Sequence, residues 1–352
     1  MNTTASFTAA DTAAGTVGLQ LDYLTVAELA SKSAAWWHSV LGVVGFDKPP
    51  SIGVPRVPVT ASMTPSLSGA DLCEVWRVAG RRIRLSSNEA RQSRIQYRYC
   101  DELLFGCMSF TLGDGAESEA DALLRATEHA YQDIFELLDA TEHRHLIRVW
   151  NYLPDINRDA GGIERYRHFN SARHAAFRQS GRATMGTVPA ACALGSPTAS
   201  PMCIYFLAAP RAPRMIENPR QTSAYYYPPK FGRHSPIFSR ACVWGESSHS
   251  KLFVSGTSSI VGHETIHPGD VAAQTRETLT NIVALLGEAN RTVGSDRYSL
   301  EGLKLKVYVR KPADLPVIQA TLAATLCTES DIVYVQADVC REDLLVEIEA
   351  VG

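Results

Sequence analysis

The sequence predicts an α+β protein of two related halves, each with helices packed on one face of a mixed sheet. Two observations point there. Strand-like and helix-like segments alternate along most of the chain, and the order in which they come is repeated. Residues 1–17 are rich in Ala, Thr and Ser and carry neither a basic nor an apolar run, so they are expected to be a disordered tail and not a signal peptide. Residues 18–103 hold strand-like segments, Gly80–Leu85 and Arg94–Tyr99 among them, that decorate the first half. Leu104–Phe110 then reads as a buried strand. After an acidic linker, a helix at about 118–140 shows the stripe Ala122, Leu124, Ala130, Ile134, Leu137 and Leu138 at helical spacing. A strand at 145–152, a helix at 163–179 and a strand at 203–208 complete the unit. The second half repeats the order: strand 252–256, helix 270–286, strand 303–309, helix 315–326, and final strands at 332–337 and 344–351. Between the halves, residues 209–250 contain Pro210, Pro213, Pro219, Pro228, Pro229 and Pro236 and are expected to form a long irregular connection that lines a site. The expected units are therefore a tail at 1–17, a first domain at 18–208, the connection at 209–250 and a second domain at 251–352.

Composition narrows the function. Lys plus Arg number 34 against 37 Asp plus Glu, a balance with no footprint for nucleic acid or an anionic membrane surface. No apolar run approaches the roughly 18 residues of a membrane span. The eight cysteines are scattered without a C-x-x-C pair, which suits reduced thiols in a cytoplasmic protein better than a disulfide framework. His263-Glu264-Thr265-Ile266-His267 matches the zinc-protease pattern H-E-x-x-H, which needs both histidines one turn apart on a helix. Gly262 before it, Pro268-Gly269 after it and two β-branched residues inside it argue for a loop, so no metal is expected.

The chemistry-bearing residues lie on strands and in the connection. Along 344–351 a period of two puts Glu347 and Glu349 on one face, which Leu345 shares. That face is either half-solvated, or buried enough to raise a carboxyl pKa into the range of a proton donor near neutrality. Along 145–152, Arg148, Trp150 and Tyr152 share a face, with Ile147, Val149 and Asn151 on the other. Arg173 falls in the stripe of Tyr166, Phe169 and Phe177. Arginines beside tyrosines in apolar settings suit a planar carboxylate; each could equally belong to a structural ion pair. The connection adds Tyr225, Tyr227 and Arg240.

R-V-W-N-Y-L-P-D-I-N (148–157), E-R-Y-R-H-F-N (164–170), N-P-R-Q with A-Y-Y-Y-P (218–228), F-V-S-G-T-S-S-I-V-G-H-E (253–264) and C-R-E-D-L-L-V-E-I-E (340–349) together resemble the chorismatases. That resemblance runs from about residue 100 to the C-terminus. F-V-S-G-T, the helix 270–282 and V-E-I-E-A are in turn similar to the RidA/YjgF family. The resemblance implies two RidA/YjgF-like (chorismate mutase-like) α/β sandwich domains and a metal-independent hydrolysis of chorismate to pyruvate and a ring acid, without a cofactor. It implies that Glu347 is the catalytic acid, with Tyr152, Arg165, Tyr227 and Arg240 binding substrate and Tyr225 competing with Tyr227. Arg148, Arg173 and Gly256 complete the candidate set. Cys340, seven residues before Glu347, stands where family members that form 3-hydroxybenzoate carry Cys, although it could be a small packing residue. Ser258, where Gly or Ala is expected, departs from the pattern and admits some 4-hydroxybenzoate; the simple hydrolysis product, a dihydroxycyclohexadienoate, is the alternative. An imine deaminase of the RidA type would carry an Arg where this chain has Ile332, and a non-catalytic ligand-binding protein on that scaffold would leave the Tyr/Arg set unexplained. The partner implied is chorismate, not nucleic acid or membrane, bound by a monomer or a homotrimer.

Overall fold

The computed structural model describes residues 18–54, 56–69, 71–79, 94–112, 118–245, 250–326 and 331–352. Among the described residues, three large sheets and one two-stranded hairpin build the molecule. The first joins β1 (Gly18–Thr25), β2 (Val40–Gly45), β3 (Val59–Ala61) and β4 (Leu72–Ala79) in the order β1-β4-β2-β3, with short helices α1 (Val26–Ala30) and α2 (Ala34–Trp37) between its first two strands.

The second sheet holds β5 (Gln96–Tyr99), β6 (Leu104–Phe110), β7 (His145–Pro154), β8 (Ala190–Ser196) and β9 (Met202–Ala209) in the order β8-β7-β9-β6-β5. Helices α3 (Glu119–Ala140) and α4 (Arg165–Gln179) cover one face. Ser118 caps α3 by accepting from the Asp121 amide, and Glu119 and Asp121 in the first turn complement the helix dipole. Tyr131, Ile134, Leu138, Phe169 and Phe177 pack there on Val149, Ile204 and Phe206.

The third sheet repeats that plan. It takes β10 (Arg214–Ile216), β11 (Ala241–Trp244) and β12 (Lys251–Thr257), a separate hairpin of β13 (Ile260–Val261) and β14 (Glu264–Thr265) follows, and β15 (Lys304–Val309), β16 (Ile332–Gln336) and β18 (Val346–Val351) complete it. The order is β10-β11-β12-β18-β15-β16, with α5 (Val271–Val293) and α6 (Leu315–Thr325) outside. Asp270 caps α5 through the Ala273 amide, and Gly294 ends it in the left-handed conformation, as a helix C-terminus favours. β17 (Asp338–Val339) crosses over to pair with β8 of the second sheet.

The α+β class and the paired halves match the sequence-based expectation; several details differ. Residues 209–250 are not a mere connection, since β10 and β11 belong to the third sheet. β8 was not foreseen: its A-A-C-A-L-G-S sequence lacks the β-branched and aromatic residues that mark a strand. A register shift between Leu146 and Arg148 puts Ile147 in the cluster that contains Trp150 and Tyr152 instead of beside Val149. The last strand begins at Val346. The expected tail at 1–17 and the strand at 80–85 lie outside the described residues. Among the described residues no helix is long and apolar enough to cross a membrane, and the seven described cysteines are unpaired.

The faces turned away from the helices meet in one cluster to which all three sheets contribute, with Trp76, Phe105, Trp150, Tyr205, Phe253 and Tyr308 at its heart. The site lies at the edge of this contact.

Candidate active site

β18 carries Val346, Ile348 and Ala350 toward α5, so the alternation of the strand sends Glu347 and Glu349 toward the first half. Both carboxyls are almost wholly buried, 4% and 5% exposed. Their surroundings nonetheless differ. Glu349 accepts from Arg148 Nη2 at 2.5 Å and Trp150 Nε1 at 2.8 Å, both on β7, and from Lys306 Nζ at 2.8 Å on the neighbouring β15. Burial pushes its pKa up, but Lys306 and then Arg148 outweigh burial and bring it down to about 2. Lys306 also meets Glu74 of β4 at 2.5 Å, which accepts from Trp76 Nε1 at 2.6 Å. Two cations and two carboxylates from all three sheets thus balance inside the protein.

Glu347 has no such partners. Ser258 Oγ lies 3.3 Å from Glu347 Oε2 and also donates to the Val346 carbonyl at 3.0 Å. Burial first, and the Glu349 charge second, raise the Glu347 pKa to about 8 against the lowering pull of Arg148, Ser258 and Arg240. At neutral pH it is a carboxylic acid. It has room because Gly256 faces it at a bulge in the pairing of β12 with β18; a Cβ there would stand 1.9 Å from Glu347 Oε1.

Glu347 looks into a cavity of about 530 Å³, a size suited to a small ligand. Gly256, Ser258, Tyr227, Arg240 and Cys340 line it, with Tyr166, Phe231 and Phe238 as aromatic walls and Asp159, Glu342 and Asp343 exposed. Arg240 is buried and donates through Nη2 to Tyr227 Oη and the Thr222 carbonyl, both at 2.7 Å, while its Nε has no partner. Burial pushes the Cys340 thiol up to about 12, aided by the Glu347 charge, so it stands in the cavity as a neutral thiol.

Of the residues singled out in the sequence, Glu347, Cys340, Tyr227, Arg240, Gly256 and Ser258 meet at this cavity, with Tyr166 on its wall, whereas Arg148, Tyr152, Arg165, Arg173 and Tyr225 do not line it. Arg148 is committed to Glu349. Tyr152 is fully buried, with its hydroxyl 2.8 Å from that of Tyr308. Arg165 donates to the Pro154 carbonyl and pairs with Glu119. Arg173 donates to the Ile237 carbonyl among Tyr131, Phe169 and Phe177. Tyr225 packs edge-on against Tyr226. Sequence reasoning did not propose Arg341 or Tyr166 as binding residues; Arg341 sits inside the C-R-E-D motif next to Cys340, which was its only signal. His263 and His267 lie on and just after the β13–β14 hairpin, not on a helix, and face Glu264 and Glu277 respectively. Among the described residues no group of three potential metal ligands occurs.

The family model "Chorismatase FkbO/Hyg5-like, N-terminal" matches residues 74–208. A 3-hydroxybenzoate synthase of Streptomyces hygroscopicus is 40% identical over 235 residues, 64% of this chain and 68% of that one. A chorismatase of the same organism is 35% identical over 302 residues, 84% of this chain and 83% of that one. The chain belongs to the chorismatase family. A chorismatase crystal structure superposes with a TM-score of 0.82 at 30% identity, over 96% of this chain and 99% of that one. That similarity spans both chorismatase halves, so the cleft between them, with Glu347 on one side and Tyr166 on the other, belongs to the part of the fold in common.

Proposed function

We propose that the protein cleaves chorismate to pyruvate and 3-hydroxybenzoate, with Glu347 as the proton donor. The observation that carries this is a carboxylic acid held neutral at the floor of a cavity that also contains a buried arginine hydrogen-bonded to a phenol and a carbonyl and not engaged in an ion pair. Chorismate is an enol ether with two carboxylates. Its cleavage starts with protonation of the methylene carbon, a slow step that needs a positioned acid, and gives an oxocarbenium ion. Glu347 supplies that proton and becomes the carboxylate whose negative charge stabilises the cation. Arg240, oriented by Tyr227, holds a substrate carboxylate, and the aromatic walls take the ring. Water adds to the oxocarbenium carbon and gives up a proton to the Glu347 carboxylate. The resulting hemiketal breaks its bond to the ring oxygen, which releases pyruvate and leaves a hydroxyl on ring carbon 3. Loss of the carbon-4 hydroxyl and one ring proton then gives the aromatic acid. The two products together contain the atoms of chorismate, so any water added in the first stage is returned in the second.

The similarity to a 3-hydroxybenzoate synthase and the Cys340 thiol in the cavity both favour this product over the diene diol, which would keep the added water. Incubating the protein with chorismate, assaying pyruvate and separating the ring acids by chromatography tests the reading. Equimolar pyruvate and 3-hydroxybenzoate are expected; no pyruvate from a folded protein refutes it.

A further inference from the structure

Three arginines line the cavity, and they are held differently. Arg167 has a side chain 44% exposed and faces Glu164 at 3.5 Å. Arg240 is buried beside Tyr227. Arg341 follows Cys340 in the turn before β18, its guanidinium carbon 4.0 Å from the centre of the Phe231 ring and 5.1 Å from that of Tyr227. Arg240 stands 5.5 Å from the same Tyr227 ring, so the two guanidinium groups share one aromatic support.

What fixes Arg341 is the H-E-T-I-H segment. Arg341 Nη1 donates to the His263 carbonyl at 2.9 Å and lies 3.4 Å from Thr265 Oγ1. The hairpin is in turn tied to the loop that carries Phe231, through the Lys230–Glu264 ion pair and the edge contact of His263 with Phe231 at 5.9 Å. The remaining terminal nitrogen, Nη2, is buried and has no hydrogen-bond partner. The partners of this guanidinium are a carbonyl, a hydroxyl and two rings, none of them a carboxylate. A buried donor left unsatisfied is costly, so a guanidinium clamped in that state at a cavity wall is poised for an anion that enters the cavity.

We infer that Arg341 is a second carboxylate-binding residue. A dianionic substrate is bridged between Arg240 and Arg341 across Tyr227, and the His263–Thr265 hairpin acts as the positioning element that aims Arg341. This rests on the reading that the cavity takes chorismate, and it explains the H-E-x-x-H pattern without a metal: its backbone carbonyl, not its imidazoles, is the working group. The guanidinium fork, stacked on Phe231, leaves an N–H edge for the anion, which is geometry a lysine does not reproduce.

The test compares wild type, Arg341→Gln and Arg341→Lys in two assays. One is pyruvate release from chorismate; the other is calorimetric binding of benzene-1,3-dicarboxylate against benzoate. Wild type is expected to bind the dicarboxylate more tightly. Arg341→Gln should raise the KM for chorismate roughly 30-fold or more, by loss of a buried charge pair, with a smaller change in kcat, and should abolish the preference for the dicarboxylate. Arg341→Lys should recover part of both, and stands in for the Gln variant should that one not fold. An Arg341→Gln protein with unchanged KM and an intact dicarboxylate preference would overturn the inference, as would a lowered melting temperature with that preference kept. Absence of pyruvate from wild type would instead count against chorismate as substrate, and the two probes would still report on Arg341.

Discussion

Replacing Glu347 by Gln separates its role in catalysis from its role in stability. The carboxyl is a neutral acid in the folded protein up to about pH 8, whereas its ordinary pKa is 4.5. Between those two values the unfolded chain has released the proton and the folded chain has not, so the folded state binds more protons and stability falls as pH rises. At 1.36 kcal/mol per unit, the 2.5 units from 4.5 to pH 7 set about 3–4 kcal/mol at most against the fold. Gln cannot ionise and fills the same space. Glu347→Gln should therefore melt higher than wild type at pH 7 and close to it at pH 4, while turnover drops roughly 100-fold or more for want of a proton donor.

Glu349→Gln should do the opposite to stability. It takes the counter-charge from Arg148 and Lys306 in a closed interior, a loss of about 3–5 kcal/mol. The Glu349 contribution is present above pH 4.5 and disappears as pH falls toward about 2, so the deficit of the variant should shrink in acid. Melting curves at several pH values with a coupled pyruvate assay decide the matter. A Glu347→Gln variant that melts lower than wild type at pH 7, or that turns over at the wild-type rate, would refute the assignment of Glu347 as a buried neutral acid.

Two further outcomes follow from the cavity. Cys340→Ala removes a neutral thiol with little change in bulk, so pyruvate release should continue while the ring product shifts from 3-hydroxybenzoate toward the dihydroxycyclohexadienoate; an unchanged product ratio by chromatography would leave Cys340 a packing residue beside Val339 and Leu344. Gly256→Ala places a methyl where Glu347 Oε1 now lies, and the displaced carboxyl should lower kcat about 100-fold without unfolding the protein, measured as kcat beside a melting curve.

The fold was legible wherever periodicity was strong. α3 and α5 were visible because their apolar stripes recur at helical spacing above an N-cap Ser or Asp. β8 was missed because buried Ala and Gly carry no strand signal, and β10 and β11 because short strands inside a proline-rich segment look like loop. For the site, alternation on β18 correctly placed both glutamates on one face but could not say which would ionise. That depends on Arg148, Trp150 and Lys306, which approach Glu349 from two other strands. The same limit explains Tyr152 and Arg148: their shared face is correct, yet it meets the third sheet in the interior instead of opening on the cavity. Arg341 had no pattern of its own, because only the folded hairpin and the Phe231 loop give it a place.

The charge balance around Glu347 changes when substrate enters, and this sets a test of the whole arrangement. In the free protein Arg148 with Lys306 offsets Glu74 with Glu349, so an ionised Glu347 would be a surplus negative charge, supported beyond Arg148 by the Ser258 hydroxyl and then by Arg240, the cation on the cavity side. In the proposed complex a substrate carboxylate occupies Arg240. That neutralises the cation which lowers the Glu347 pKa and brings a second anion near the acid. Displacement of water by the ring adds desolvation in the same direction. Binding should thus tighten the hold of Glu347 on its proton until the enol ether methylene is in place to receive it. The profile of kcat/KM, which reports the free protein, should fall tenfold per pH unit above about 8, and the descending limb of kcat should lie at higher pH. Replacing Arg240 by Gln should move the kcat/KM limb upward and narrow the gap between the two. Limbs that coincide in wild type and stay unmoved in Arg240→Gln would show that Arg240 neither holds the carboxylate nor tunes the acid.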